Sequence, residues 1–170
     1  PHLKIESLRG NVQTRLRKLD EGQYAAIILA AAGLIRLELG DRIKGFIDPA
    51  DSIPAVGQGA LGIEINASRH DLIEVLAPLN HVDTQLCVEA ERGFSRALAG
   101  SCTVPLGAYA TKQGDTITMQ GFVASVDGQQ MLKETVTGNA AEAEKLGQQL
   151  ALQLVSRGAD KILAALDGLK

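Results

Sequence analysis

The sequence predicts an α/β segment at the beginning of the chain, followed by a compact α+β unit. Apolar runs of strand length alternate with helical patterns in residues 1–47. Gly and Pro interrupt regular structure in residues 48–59, and a long helix is followed by three strands in residues 81–137. The 170 residues are 45% hydrophobic and 22% charged, which is typical of a folded globular protein.

The first 47 residues predict the order strand, helix, strand, helix. Residues 3–8 alternate apolar and polar side chains, and Asn11 is a good N-cap for a helix to about Asp20. Residues 24–29 form an apolar run of the buried parallel-strand type, and residues 30–39 return to helical spacing before Gly40. Two strands are too few for a stable α/β sheet, so this segment either pairs with another chain or begins in mid-domain.

Residues 48–59 predict a segment that crosses between domains, because prolines at 49 and 54 break regular structure. A strand at 60–65 and a short helix at 71–79 are expected next. A long helix is predicted for residues 81–99, ended by Gly100, and its apolar stripe consists of Leu86, Ala90, Phe94 and Leu98.

The last part of the chain predicts a small antiparallel sheet covered by helices. Strands are expected at 107–111, 116–124 and 130–137, with hairpin turns at Gly114-Asp115 and Asp127-Gly128. A helix from 140 to 156 is predicted by Leu146, Leu150 and Leu154, and a last short helix follows Gly158. Residues 82–170 therefore predict a compact α+β unit.

The net charge of −3 hides an asymmetry along the chain. Residues 1–45 carry eight Lys or Arg against five Asp or Glu, whereas the remainder carries nine against fifteen. This excess indicates an anionic ligand in the first part and is too small to indicate nucleic-acid binding. The longest apolar stretch, residues 25–35, is too short to span a bilayer, and the first residues do not resemble a signal peptide. A cytoplasmic location is expected.

Two cysteines are present, and they differ in their surroundings. Cys102 lies in a loop of small residues after the long helix, where its sulfur can be accessible. An inert thiol is the alternative, because no His is close in sequence to activate it. Cys87 lies beside Leu86 on the helix and is expected to be a packing residue. The three histidines are scattered singly, so no metal site is predicted.

Arginines and small residues make the first segment a candidate anion site. Arg9 lies at a strand-to-helix turn, where a guanidinium and helix N–H groups can bind one anion together; Arg15 and Arg36 lie on the two helices. A solvated basic face is an equally good interpretation of Arg9. The small residues at 29–34 allow a ligand close to the backbone, although tight helix–sheet packing is the commoner reason for them. Residues 57–62 lack the Lys-Ser/Thr of a phosphate-binding loop.

Taken together, four segments resemble the porphobilinogen deaminases (hydroxymethylbilane synthases). They are residues 7–16 (SLRGNVQTRL), 26–34 (AIILA and AGL), 54–60 (PAVGQGA) and 100–107 (GSCTVPLG), in the family's order. The resemblance implies a transferase of haem biosynthesis that condenses four porphobilinogen molecules into 1-hydroxymethylbilane with release of ammonia. It also implies a dipyrromethane cofactor bound to Cys102 by a thioether. Carboxylates of the pyrroles would be bound by Arg9, Arg15 and Arg36, and backbone at Leu29, Ala30 and Gly33 would line the same cleft.

The resemblance further implies a fragment. Residues 1–53 would be the C-terminal part of a periplasmic-binding-protein-like domain 2, residues 54–78 a return segment of domain 1, and residues 79–170 domain 3, which carries Cys102. The family's catalytic Asp would lie upstream, so no catalytic residue is assigned here and the fragment alone is expected to be inactive. The full-length protein is expected to be a monomer. The alternatives are a non-catalytic anion-binding module of the two-domain binding-protein type and a cysteine-dependent enzyme, which no His pattern supports.

Overall fold

The computed structural model of the protein describes residues 2–98 and 104–167, with side chains as far as residue 165. The chain divides into two compact units, residues 1–47 and residues 48–170. No helix in the described ranges is long and apolar enough to cross a membrane.

The first unit contains two short helices around a very small core. Helix α1 spans Val12–Asp20, helix α2 spans Ala31–Arg36, and a single 3₁₀ turn follows at Gly40–Arg42. The predicted N-cap is confirmed, because the Asn11 side chain accepts a hydrogen bond from the Thr14 backbone N–H at 2.8 Å. In the described part of this unit only Leu16 and Leu34 are buried, so its helices have little apolar support of their own.

Three strand predictions are wrong for this structure, because residues 3–8, 24–29 and 60–65 form no strand. Several of their apolar side chains also stay exposed, as shown by Leu3 (88% exposed), Ile5 (95%) and Ile28 (80%). A strand is stable only with hydrogen-bonded neighbours and a covered apolar face. A strand-like apolar pattern therefore does not by itself form a strand.

Helix α2 ends earlier than the sequence pattern predicts. The expected helix extends to residue 39 with Gly40 as its stop, whereas the observed helix ends at Arg36. Glu38 adopts the left-handed conformation (φ 57°), and the Leu39 N–H donates to the Leu34 carbonyl at 2.9 Å. This pattern closes a helix C-terminus, and it explains why Gly40 begins the 3₁₀ turn.

The second unit is the predicted α+β fold. Helix α3 spans His70–Leu76 and continues into a 3₁₀ turn at Ala77–Leu79; the later helices are α4 (Val82–Ala97), α5 (Ala143–Ser156) and α6 (Ala159–Asp167). A 3₁₀ turn at Ala140–Glu142 leads into α5. The strands are β1 (Leu106–Gln113), β2 (Thr116–Ala124) and β3 (Met131–Asn139), paired antiparallel in the order β1-β2-β3. Both hairpin predictions are confirmed, with left-handed Gly114 (φ 59°) and Gly128 (φ 69°) in the turns.

The core of the second unit lies between one face of the sheet and the helices. Its largest fully buried side chains come from α4, β2 and α5: Phe94, Ile117, Met119, Val123, Leu150 and Leu154. The predicted stripe of α4 is confirmed, since Ala90, Phe94 and Leu98 are buried and Leu86 packs against the core. This core fixes the end of α4 and the start of β1, the two elements that flank residues 99–103.

Candidate functional site

The predicted attachment residue, Cys102, lies outside the described residues, between the end of α4 and the start of β1. Its flanking elements are well anchored: Leu98 is buried at the end of α4, and Ala108 is fully buried in β1. The assignment of Cys102 stays a prediction.

The turn before α1 brings Arg9 and Arg15 to the same helix end. The Arg15 Nε donates to the Gly10 carbonyl at 2.7 Å, and the Lys18 Nζ donates to the Arg9 carbonyl at 3.3 Å. Tyr24 joins the same turn, because its hydroxyl donates to the Ser7 carbonyl at 3.3 Å. Arg9 is exposed and Arg15 half-buried. The turn is thus held by side chains that follow it in sequence, and the Arg15 guanidinium lies at this N-terminal end of α1.

The other predicted residues lie around α2. Ala30 is the N-cap residue of α2, Leu29 precedes it, and Arg36 is the exposed last residue of the helix. A Cβ built on Gly33 would meet no atom within 4 Å, so the small residues here leave the backbone open instead of filling a tight helix contact. Open space next to the backbone is what a ligand lying close to the chain would need.

These residues do not converge on one cavity. A cavity of about 480 Å³ lies in the first unit, and its lining is mainly apolar, with side chains from α1, from residues 25–29 and from residues 42–47. Leu29 lines this cavity, whereas Arg9, Arg15, Ala30, Gly33 and Arg36 do not. The structure therefore places the Arg15 guanidinium against the turn that contains Arg9 and leaves Arg36 at the far end of α2.

A groove in the second unit was not predicted from the sequence. It has a volume of about 400 Å³ and lies among residues 54–60, α4 and β1. Glu91 of α4 is only 6% exposed, yet its carboxylate accepts hydrogen bonds from the Gly57 N–H at 2.7 Å and the Ala110 N–H at 2.9 Å. Asp83 and Lys112 form an ion pair at 2.7 Å on the same groove.

The surroundings of Cys87 in this groove raise the pKa of its thiol and so lower its reactivity. Burial raises the pKa of the Cys87 thiol, and the nearby Glu91 and Asp83 carboxylates raise it further. Cys87 is half-buried and packs against the core, as predicted from its place on α4. Since the thiolate is the reactive form of cysteine, this environment makes Cys87 a poor nucleophile.

Sequence reasoning missed Glu91 because its spacing on α4 is that of an apolar residue. It lies four residues after Cys87 and three before Phe94, on the face of the helix that packs inward. A carboxylate in such a stripe was the available signal, since a buried Glu is rare unless it is paired or hydrogen-bonded. In residues 2–98 and 104–167, no three His, Cys, Asp or Glu side chains are placed to hold a metal ion.

The fold and the site define a protein of two units, with arginines at the helix ends of the first unit and an α+β fold in the second. Two family models match this chain. Residues 1–74 match "Porphobilinogen deaminase, dipyromethane cofactor binding domain", and residues 85–156 match "Porphobilinogen deaminase, C-terminal domain".

Curated relatives agree with the family models. Proteins named porphobilinogen deaminase are 72% identical to this chain in Methylobacillus flagellatus, 57% in Nitrosomonas europaea and 54% in Laribacter hongkongensis. Each match covers 97–98% of this chain and 54% of the relative. The chain belongs to the porphobilinogen deaminase family, and it spans about half the length of the curated relatives it matches.

Proposed function

We propose that this chain is the C-terminal part of a porphobilinogen deaminase. The whole enzyme condenses four porphobilinogen molecules into 1-hydroxymethylbilane and releases ammonia, in the biosynthesis of haem. The observation that carries this proposal is the match of the first 74 residues to the cofactor-binding domain, together with 72% identity to a porphobilinogen deaminase over 98% of the chain. No observation favours the alternative of a non-catalytic anion-binding module.

Cys102 is proposed as the thioether attachment point of the dipyrromethane cofactor. The chain has two cysteines, and the environment of Cys87 supports this choice, because burial and two nearby carboxylates raise the pKa of the Cys87 thiol and so disfavour its thiolate. When bound, the cofactor supplies the covalent end to which successive pyrrole units are joined. A covalent tether makes each addition effectively intramolecular, so intermediates are not lost between steps.

Arg9, Arg15 and Arg36 are proposed to bind the carboxylates of the cofactor and the substrate. Arg15 fits this role: with its Nε on the Gly10 carbonyl, it has a fixed orientation, and its two terminal nitrogens make no hydrogen bond within the described residues. Such a guanidinium edge can bind a carboxylate with two parallel hydrogen bonds. Leu29, Ala30 and Gly33 line the same cleft in this proposal, and the open space at Gly33 suits a ligand close to the backbone.

The domain boundaries are proposed as read from the sequence: residues 1–53 in domain 2, 54–78 in a return segment of domain 1, and 79–170 in domain 3. Domain 2 is proposed to be a periplasmic-binding-protein-like α/β domain in the whole protein. The exposed apolar side chains at Leu3, Ile5 and Ile28 support this view, because a neighbouring strand would pair and cover them. We further propose a cytoplasmic monomer that binds neither nucleic acid nor membrane.

The proposal is tested by turnover of porphobilinogen in the full-length protein. Consumption of porphobilinogen and release of a tetrapyrrole are expected for the wild type and for Cys87→Ser, and both are expected to be lost in Cys102→Ser. The 170-residue chain alone is expected to be inactive, since the family's catalytic Asp would lie upstream of it. Turnover that survives Cys102→Ser would contradict the proposal.

A further inference from the structure

We propose that the Glu91 carboxylate anchors the crossing segment, residues 48–59, to the free edge of β1. Glu91 is then a positioning residue, and it makes this segment move together with the domain that is proposed to carry Cys102. The link to Cys102 rests on the proposed function, whereas the anchoring by Glu91 rests on contacts within the second unit.

The first observation is the geometry of the carboxylate. Each of its oxygens accepts one backbone N–H: Oε2 from Gly57 at 2.7 Å and Oε1 from Ala110 at 2.9 Å. These donors lie 34 and 19 residues away in sequence, so one side chain joins three separate parts of the chain. Hydrogen bonds to an ionised acceptor are about twice as strong as those between neutral groups.

The second observation is the place of Ala110. In the described residues β1 pairs only with β2, so it is an edge strand of the sheet. An edge strand carries backbone groups without a strand neighbour, and buried ones must find other partners. Glu91 accepts the Ala110 N–H in place of a fourth strand, and with its second oxygen it holds Gly57 against the same edge.

The third observation is that the crossing segment also contacts the opposite face of the sheet. A Cβ on Gly107 would lie 2.6 Å from the Pro54 carbonyl oxygen and 2.5 Å from Cε1 of Phe122, so a side chain at position 107 would displace the segment. The Lys133 Nζ donates to the Ala50 carbonyl at 3.0 Å. The segment therefore lies on the outer face near residues 50–54.

Residues 56 and 57 lie on the helix side of the sheet. Val56 packs against the core, and a Cβ on Gly57 would lie 4.0 Å from Cγ1 of Val88 on α4. The crossing segment thus passes around the edge of β1 between Pro54 and Val56, and Glu91 holds it immediately after this bend.

The chemistry requires a carboxylate with the length of Glu. Two donors need two acceptor oxygens, and a Gln side chain offers one oxygen and an NH₂ group that would face an N–H. In Glu91→Gln one of the two backbone donors is left without a partner in a buried place, and the segment is released on that side.

The experiment measures amide hydrogen exchange, resolved by residue, in the full-length protein. The wild-type Gly57 amide is expected to exchange as slowly as that of Ala110, although residue 57 lies in a segment without regular secondary structure. In Glu91→Gln, exchange at Gly57 is expected to accelerate by about tenfold or more relative to the core amides of Met119 and Leu150. Glu89→Gln on the same helix is the control and is expected to leave the Gly57 rate unchanged.

Two results would contradict the anchoring by Glu91. One is a wild-type Gly57 amide that exchanges at the rate of an unprotected loop. This measurement does not depend on whether a variant folds. The other is a Glu91→Gln protein in which Gly57 and the core amides accelerate by the same factor, since that pattern reports a general loss of stability. Neither outcome depends on turnover, so a failure here is distinguishable from a failure of the proposed enzyme function.

Discussion

Replacement of Gly147 by Ala tests how closely α4 and α5 approach. A Cβ at Gly147 would overlap the carbonyl oxygen of Ala90 and lie 2.6 Å from the backbone nitrogen of Phe94. On the facing helix, a Cβ at Gly93 would overlap the carbonyl oxygen of Glu144. In both cases the atoms that the new Cβ would contact belong to the backbone of the other helix. A rotamer change therefore cannot relieve the overlap, and the helices must separate.

The magnitude follows from two opposing effects. In a free helix, Gly→Ala stabilises by about 1 kcal/mol because alanine has the higher helix propensity. Overpacking of a close contact costs about 1–3 kcal/mol, or more where the backbone must move. Separation of α4 and α5 would also loosen the packing of Phe94 and Leu150, which are both fully buried. We expect a net loss of about 2 kcal/mol, which lowers the Tm of the second unit by about 8 °C.

The assay is thermal and urea unfolding followed by circular dichroism, with Gln148→Ala as the matched control. Gln148 is exposed on the same helix, so its replacement is expected to change the free energy of unfolding by less than about 0.5 kcal/mol. A Gly147→Ala protein as stable as the wild type, or more stable, would refute the close approach of the two helices.

Three further predictions concern the same unit. Leu150→Ala should lower the free energy of unfolding by about 2–5 kcal/mol because the Leu150 side chain is fully buried. Leu152→Ala, at a site 68% exposed, should change it by under about 0.5 kcal/mol. Urea unfolding of the two variants measures both values, and equal losses would contradict the burial of Leu150. Burial raises the pKa of Glu91 above the unfolded value of 4.5, although the hydrogen bonds from Gly57 and Ala110 oppose this shift. The part of the stability that comes from protonated Glu91 is therefore complete below pH 4.5 and is lost as pH rises through the folded pKa, while the two hydrogen bonds persist; the stability advantage of wild type over Glu91→Gln should shrink over that range, and a constant difference would contradict this. Cys87 should react with iodoacetamide at neutral pH more slowly in native Cys102→Ser protein than in the same protein in urea, because burial raises its pKa; equal rates would contradict this.

The helices and strands of residues 82–167 could be predicted because a short stretch of sequence specifies each of them. Turn residues at Gly114 and Gly128, a stripe of one residue per helical turn on α4, and a similar stripe on α5 each specify one element over a few positions. Since the resulting elements cover one another, local pattern and tertiary structure agree. In residues 82–167 the strand and helix bounds differ from expectation by only a few residues at their ends, whereas the strand expected at 60–65 in the same unit does not form.

The first unit was predicted less well because its strands depend on distant partners. Residues 3–8 and 24–29 have strand-like patterns, but they form no strand in this structure and leave Ile5 and Ile28 exposed. Periodicity reports which face of a segment is apolar, and it does not supply the neighbouring strand that would cover this face.

The candidate site, too, could be predicted only where its contacts join residues that are close in sequence. The Arg15 side chain binds the turn that contains Arg9, as a short-range motif can indicate. The role of Glu91 could not be predicted, because the burial of a carboxylate depends on donors at Gly57 and Ala110, which are brought near only by the folded chain.

The attachment of the cofactor to Cys102 is tested most directly by mass spectrometry of the purified full-length protein, intact and after digestion. A dipyrromethane adduct is expected on the peptide that contains Cys102, present in Cys87→Ser and absent from Cys102→Ser. An active protein with no added mass at Cys102, or with the adduct on Cys87, would contradict it.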